Sequence, residues 1–179
     1  MNEVANQLLE SDGSHARRAS KVTLAKKRFD KRYCIQYRSF MNQHRAVIDT
    51  NVLYAGLYSA TGASYQILRM IERGQVTPLL STTLLFEYEE VLKRGHRSLG
   101  LSVQDVEDVL DGLCSRAEFR KIHFLWRPQL SDPKDDHILE LAVAAGSVDI
   151  VTHNVKDFKL AISFGVRIVK PSDYLGELK

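Results

Sequence analysis

The chain has 179 residues, 44% of them hydrophobic and 26% charged, with a formal net charge of +3. That is enough for one domain of ordinary size with its own core, and it excludes a low-complexity or fibrous chain. No apolar run approaches the roughly 20 residues of a membrane span, the first thirty residues lack the apolar centre of a secretory signal, and Cys34 and Cys114 stand at no metal-ligand spacing, so the chain reads as a cytoplasmic protein with reduced thiols.

The charge is uneven. Residues 1–45 hold ten Lys/Arg against four acids, whereas residues 46–179 hold fifteen against eighteen. Residues 1–44 therefore read as a basic N-terminal extension, partly disordered or helical, in which "KVTLAKKRFDKRY" (21–33) carries only a thin apolar stripe. Basic arms of this kind contact nucleic acid or remain solvated tails. Met41, just before the first strand, offers an alternative start, in which case the extension is a start-site artefact. The domain proper spans 45–179.

Within it, strands and helices alternate. Ala46–Ile48 predicts a short strand. Helical spacing over 62–73 places Ile67, Leu68 and Ile71 on one face, with Gly74 as the stop. "TPLLS" (77–81) predicts a second strand, and Thr82 or Thr83 the cap of "LLFEYEEVLKR", whose inward stripe is Leu84, Leu85, Tyr88, Val91 and Leu92. A helix over 102–113 turns Val103, Val106, Val109, Leu110 and Leu113 inward. "EFRKIHFL" (118–125) reads as a third strand. Asp132 then caps a helix with Pro133 in its first position, which runs to Gly146. Strands at 148–152 and 166–170 flank a short helix at "KDFKLAI". This order predicts an α/β fold with a mainly parallel sheet of four to five strands and helices on both faces.

Four acids have comparable addresses on this plan. Asp49 ends the first strand, Glu87 lies on the helix after the second, Asp135 opens the helix after the third, and Asp157 follows the fourth. In a parallel sheet these strand-to-helix connections share one edge. Carboxylates gathered there need a cation, and a hard divalent ion with oxygen ligands, Mg²⁺ or Mn²⁺, suits them. Periodicity alone leaves Glu87 balanced against ordinary surface charge, and Asp157 against a helix cap. Asp135 points along the buried stripe of Ile138, Leu139 and Ala142, whereas Asp136 projects to the opposite, solvated side. His137 and His153 read as surface or rim residues. No P-loop, GxGxxG or nucleophilic Ser or Cys motif is present, and "DTN" lacks the second aspartate of a phosphatase nucleophile loop.

Taken in order, "VIDTNVLYAGL", "LLSTTLLFEYEEVLKR", "DPKDDHILELAVAAG" and "IVTHNVKDF" resemble the motifs of the PIN-domain family, with the VapC-like toxins of toxin–antitoxin pairs as the nearest branch. The resemblance covers roughly residues 45–175. It implies a three-layer α/β/α sandwich and a Mg²⁺- or Mn²⁺-dependent endoribonuclease with Asp49, Glu87, Asp135 and Asp157 as its acids. Asp49 and Asp135 are the principal metal ligands on this basis, and Glu87 and Asp157 hold metal waters or a second ion. Asn51, Thr152 and Asn154 match supporting polar positions. The stretch between Gly146 and Thr152 is a residue longer than the compact pattern, which leaves Asp135 against Asp136 open as the third acid. Rim cations for an RNA substrate are Arg94, Arg97, Lys134 and Lys156. The resemblance further implies an antitoxin partner and, by analogy, a homodimer. A housekeeping RNA- or DNA-processing nuclease and a non-catalytic RNA-binding module are the alternatives.

Overall fold

A computed structural model describes residues 44–123 and 129–178. The basic extension before His44 lies outside the described residues, as does the stretch 124–128 of the expected third strand and the loop after it. The elements run β1 (His44–Ile48), α1 (Thr50–Tyr58), α2 (Ala63–Glu72), β2 (Val76–Leu80), α3 (Thr82–Gly95), α4 (Val103–Cys114), β3 (Glu118–Phe119), α5 (Asp136–Ala144), β4 (Asp149–Val151), a 3₁₀ turn (Lys159–Phe164), β5 (Ile168–Val169) and α6 (Pro171–Glu177).

The five strands form one parallel sheet in the order β3-β2-β1-β4-β5. From β1 the chain steps outward to β2 and β3, then crosses back to β4 and β5 on the other side. Strand order therefore reverses at β1, whose Ile48 is in register with Val151 of β4. Right-handed crossovers place α1–α4 on one face and α5 on the other. This is the expected three-layer α/β/α sandwich. Ala46, Val47 and Ile48 are all fully or almost fully buried, as a strand covered on both faces requires.

The local structure differs from the sequence reading in several places. Helix α1 was not expected. Asp49 caps it, accepting from the Asn51 amide, so the "DTN" turn opens a helix directly rather than a loop. Ser81, not Thr82 or Thr83, caps α3 by accepting from the Leu84 amide at 3.2 Å. Helix α5 begins at Asp136, four residues after the expected cap. Asp132 instead accepts from the Lys134 amide and folds 132–135 into a turn. Val103 is half-exposed at the first position of α4, whose inward stripe is Val106, Leu110 and Leu113. Among the described residues the third strand is Glu118–Phe119, and α6 adds a C-terminal helix with Pro171 in its first turn.

Helices α1 and α2 pack closely at Gly56. An added Cβ there would lie 2.6 Å from the Leu68 Cδ1 and 3.0 Å from the Ser64 carbonyl. Gly56→Ala is therefore expected to force the two helices apart, at a cost of about 1–3 kcal/mol. A melting temperature within 2 °C of the wild type would contradict this packing account.

Candidate active site

Ligand sites in open parallel sheets lie beyond the carboxyl ends of the strands, where strand order reverses. Here that position is a cleft of about 530 Å³ lined by Asp49, Asn51, Tyr54, Glu87, Arg94, Asp135 and Asn154, among others. Of the four acids expected from the sequence, Asp49, Glu87 and Asp135 line the cleft. Asp157 does not, although it stands close enough for its charge to act on Asp135.

Asp49 is held rigidly. Its backbone amide donates to the Val151 carbonyl, which extends the β1–β4 ladder to the cleft edge. Its Oδ2 accepts from Asn51 Nδ2 at 2.7 Å and from the Thr152 hydroxyl at 2.5 Å. Thr152 Oγ1 in turn accepts from the Asn154 amide, and the Asn51 side-chain oxygen accepts from the His153 amide. The three supporting polar residues thus tie the end of β4 to the end of β1 around one carboxylate. Burial is the strongest influence on that carboxyl and raises its pKa. The Thr152 and Asn51 hydrogen bonds oppose the rise, and the Glu87 charge adds to it.

Glu87 is positioned by its neighbour. The buried Tyr88 donates its hydroxyl to the Ile48 carbonyl, pinning α3 to the last residue of β1. Burial pulls the Glu87 carboxyl upward, but hydrogen bonds with His137 and Thr50 and the charge of His137 outweigh it and hold the group below its ordinary value. The His137 Nε2 lies 2.9 Å from Glu87 Oε2, and Nδ1 lies 2.7 Å from the Lys134 carbonyl. A carbonyl only accepts, so Nδ1 carries a proton. His137 is therefore not a rim residue. It is 4% exposed and bridges the Asp132–Asp135 turn to α3.

Asp135 stands at the start of α5 with its carboxylate toward the cleft. Burial first, then the charges of Asp49, Asp132, Glu87 and Asp157, push it up to about 6. Asp136 has a different job from the one expected. It is 1% exposed and accepts from the Gln129 and Leu130 amides at 2.8–3.1 Å, fastening the loop before the site. Asp136 is therefore occupied by backbone amides, and Asp135 is the acid in the cleft. Asp136→Ala is expected to leave the buried Leu130 amide unsatisfied, to free the exposed Gln129 amide and to cost about 2 kcal/mol, read as a lower midpoint in urea.

Sequence reasoning missed His137, Thr50 and Tyr54. The first was misplaced because positions 136–142 are buried without interruption, which leaves His137 no rim position. Helix α5 packs on β1, β2 and β4 and touches α3, and both Asp136 and His137 lie within its buried run. His153 is exposed as expected, with its Nε2 3.0 Å from the Ser64 hydroxyl. Among the rim cations, Arg94 lines the cleft, Lys134 lines an adjoining hollow, and Arg97 and Lys156 are exposed.

The donors fit a hard divalent cation: three carboxylates on separate elements, two of them, Asp49 and Asp135, raised by burial and by neighbouring acids. Among the described residues, no three His, Cys, Asp or Glu side chains stand close enough to form a finished cage.

A parallel sheet with an acid cleft at its switch point defines an α/β protein with a candidate site at the carboxyl ends of its strands. The PIN-domain family model matches residues 45–156. The chain belongs to the PIN-domain family, a family of nucleases. A solved structure, VapBC2 from Rickettsia felis bound to a DNA fragment from its promoter, contains a chain of similar fold. The similarity covers 70% of this chain and 98% of that one, at 16% identity and a TM-score of 0.51. Comparison with curated proteins finds no match. Among the described residues, no helix is long and apolar enough to cross a membrane.

Proposed function

We propose that the protein is a Mg²⁺- or Mn²⁺-dependent endoribonuclease, the toxin of a toxin–antitoxin pair acting in the cytoplasm. The observation that carries this reading is the gathering of Asp49, Glu87 and Asp135 on one cleft, with Asp135 pushed up to about 6 by burial and by its acidic neighbours. Asp49 and Asp135 would hold the ion directly or through water, with Glu87 and Asp157 on its waters or on a second ion. The bound ion would supply Lewis-acid stabilisation of the phosphoryl charge and a more acidic water.

The chain's own groups do the remaining work. Thr152 and Asn51 fix the carboxylate plane of Asp49. His137 orients Glu87. Arg94 and Lys134 meet backbone phosphates at the rim, which positions the strand without reading its sequence. An RNA strand would be repelled by the metal-free cleft, so ion and substrate bind together. An antitoxin, with an Arg among the acids, would cover the same cleft, and the toxin would pair as a homodimer. The likeness of the fold to a chain of the VapBC2 structure supports this assignment.

The test is cleavage of a mixed single-stranded RNA pool by the full chain, with Mg²⁺ or Mn²⁺ and with chelator, beside Asp49→Asn. Cleavage in either metal, abolished by chelator and reduced at least about 100-fold in the variant, is the expected result. A well-folded wild type that leaves every RNA intact with both ions would refute the reading.

A further inference from the structure

One wall of the acid cleft is aromatic. Tyr54 lines it beside Asp49 and Asn51, and Tyr58 follows one turn later on α1. The two rings are nearly parallel, with planes 13° and centroids 6.5 Å apart, so they form one stepped face. Tyr58 is 67% exposed and contributes little to the core. The Tyr54 ring lies over the C-terminal end of α3, and the place it occupies there requires glycine. A Cβ at Gly95 would stand 2.5 Å from Tyr54 Cε2. Next to that glycine, Arg94 lines the same cleft. Carboxylates, the Tyr54 ring and a guanidinium thus share one opening, with the Tyr58 ring stacked next to Tyr54.

We propose that Tyr54 and Tyr58 form a stacking platform for two unpaired bases of a single-stranded nucleic acid whose scissile phosphate lies at the carboxylates. The inference rests on the nuclease reading above and adds to it a base-binding subsite on α1. Bases in a duplex are stacked on each other and cannot lie on a tyrosine, whereas an unpaired base presents a π-face that aromatic side chains hold irrespective of sequence. The platform leads away from Asp49 along α1. The bases it holds therefore lie on one side of the scissile phosphate. Arg94 supplies the cation for the phosphate between them and the acids.

The test uses the full chain with Mn²⁺ and a single-stranded oligoribonucleotide carrying 2-aminopurine, whose fluorescence falls when it stacks. Tyr58→Ala is expected to raise KM about 10-fold with kcat within about 2-fold, and to lose the fluorescence drop on mixing; Tyr58→Trp is expected to restore both. An unchanged KM and fluorescence drop in Tyr58→Ala, while the wild type cleaves, would overturn the platform and leave the nuclease reading standing. Conversion of a dimer to a monomer by Tyr58→Ala with KM unchanged would also overturn it, assigning the face to a second copy. A wild type that neither cleaves nor binds single-stranded RNA would overturn the nuclease reading and the platform with it.

Discussion

Asp135→Asn is expected to stabilise the metal-free protein at neutral pH while abolishing cleavage. The carboxyl of Asp135 is pushed up to about 6 by burial and by its acidic neighbours. A carboxyl raised in the folded state favours folding fully below its unfolded value, near 4, and loses that contribution as the pH rises through 6. At pH 7.5 the ionised group works against the fold, and an amide of the same shape does not. The site is only half-buried, so solvent screening reduces the effect to about 1 kcal/mol, or about 3 °C in melting temperature. The gap should close at pH 4. Added Mg²⁺ or Mn²⁺ should reverse the order at pH 7.5, because binding raises the wild-type melting temperature by mass action and the variant has lost a ligand. A variant that melts below the metal-free wild type at pH 7.5 would contradict this electrostatic account.

The alternation of short apolar runs with helical stripes gave the sheet, because a strand buried on both faces must be apolar throughout and a helix packed on one side must be striped. Asp49 was legible for the same reason: a buried strand that ends on a carboxylate is unusual outside a site. Helix α1 was hidden, because Asp49 serves two roles. Its side chain caps the helix through the Asn51 amide while lining the cleft. Periodicity could not place Glu87, since half-exposed carboxylates flank many apolar stripes. What places it is Tyr88 binding the Ile48 carbonyl, a contact forty residues away in sequence. The choice between Asp135 and Asp136 likewise depended on where the preceding loop puts the amides of Gln129 and Leu130, which no spacing within the helix reveals.

His137→Ala is expected to damage stability and activity together. In the wild type the imidazole, itself 4% exposed, bridges the Lys134 carbonyl and the Glu87 carboxylate at 2.7 and 2.9 Å. Truncation leaves the Lys134 carbonyl without this donor, takes one partner from Glu87 and opens a small hollow, at a cost of about 2–3 kcal/mol. It also removes the main opposition to the burial that raises Glu87, so that carboxyl moves upward. A carboxyl depressed by its partner stabilises the fold above its unfolded value and loses that contribution as the pH falls through the folded one. The stability gap between wild type and variant should therefore be full at pH 7 and narrow below about pH 4.5, Glu87's ordinary value. Cleavage should fall about 10- to 100-fold, the usual cost of losing a group that orients a metal-site acid. His137→Gln retains a donor for Glu87 but none that reaches Lys134. It should recover more of the activity than of the stability. Equal recovery of both, or none of the activity, would mean that His137 serves only to clamp the Asp132–Asp135 turn to α3 and that Glu87 needs no orienting partner.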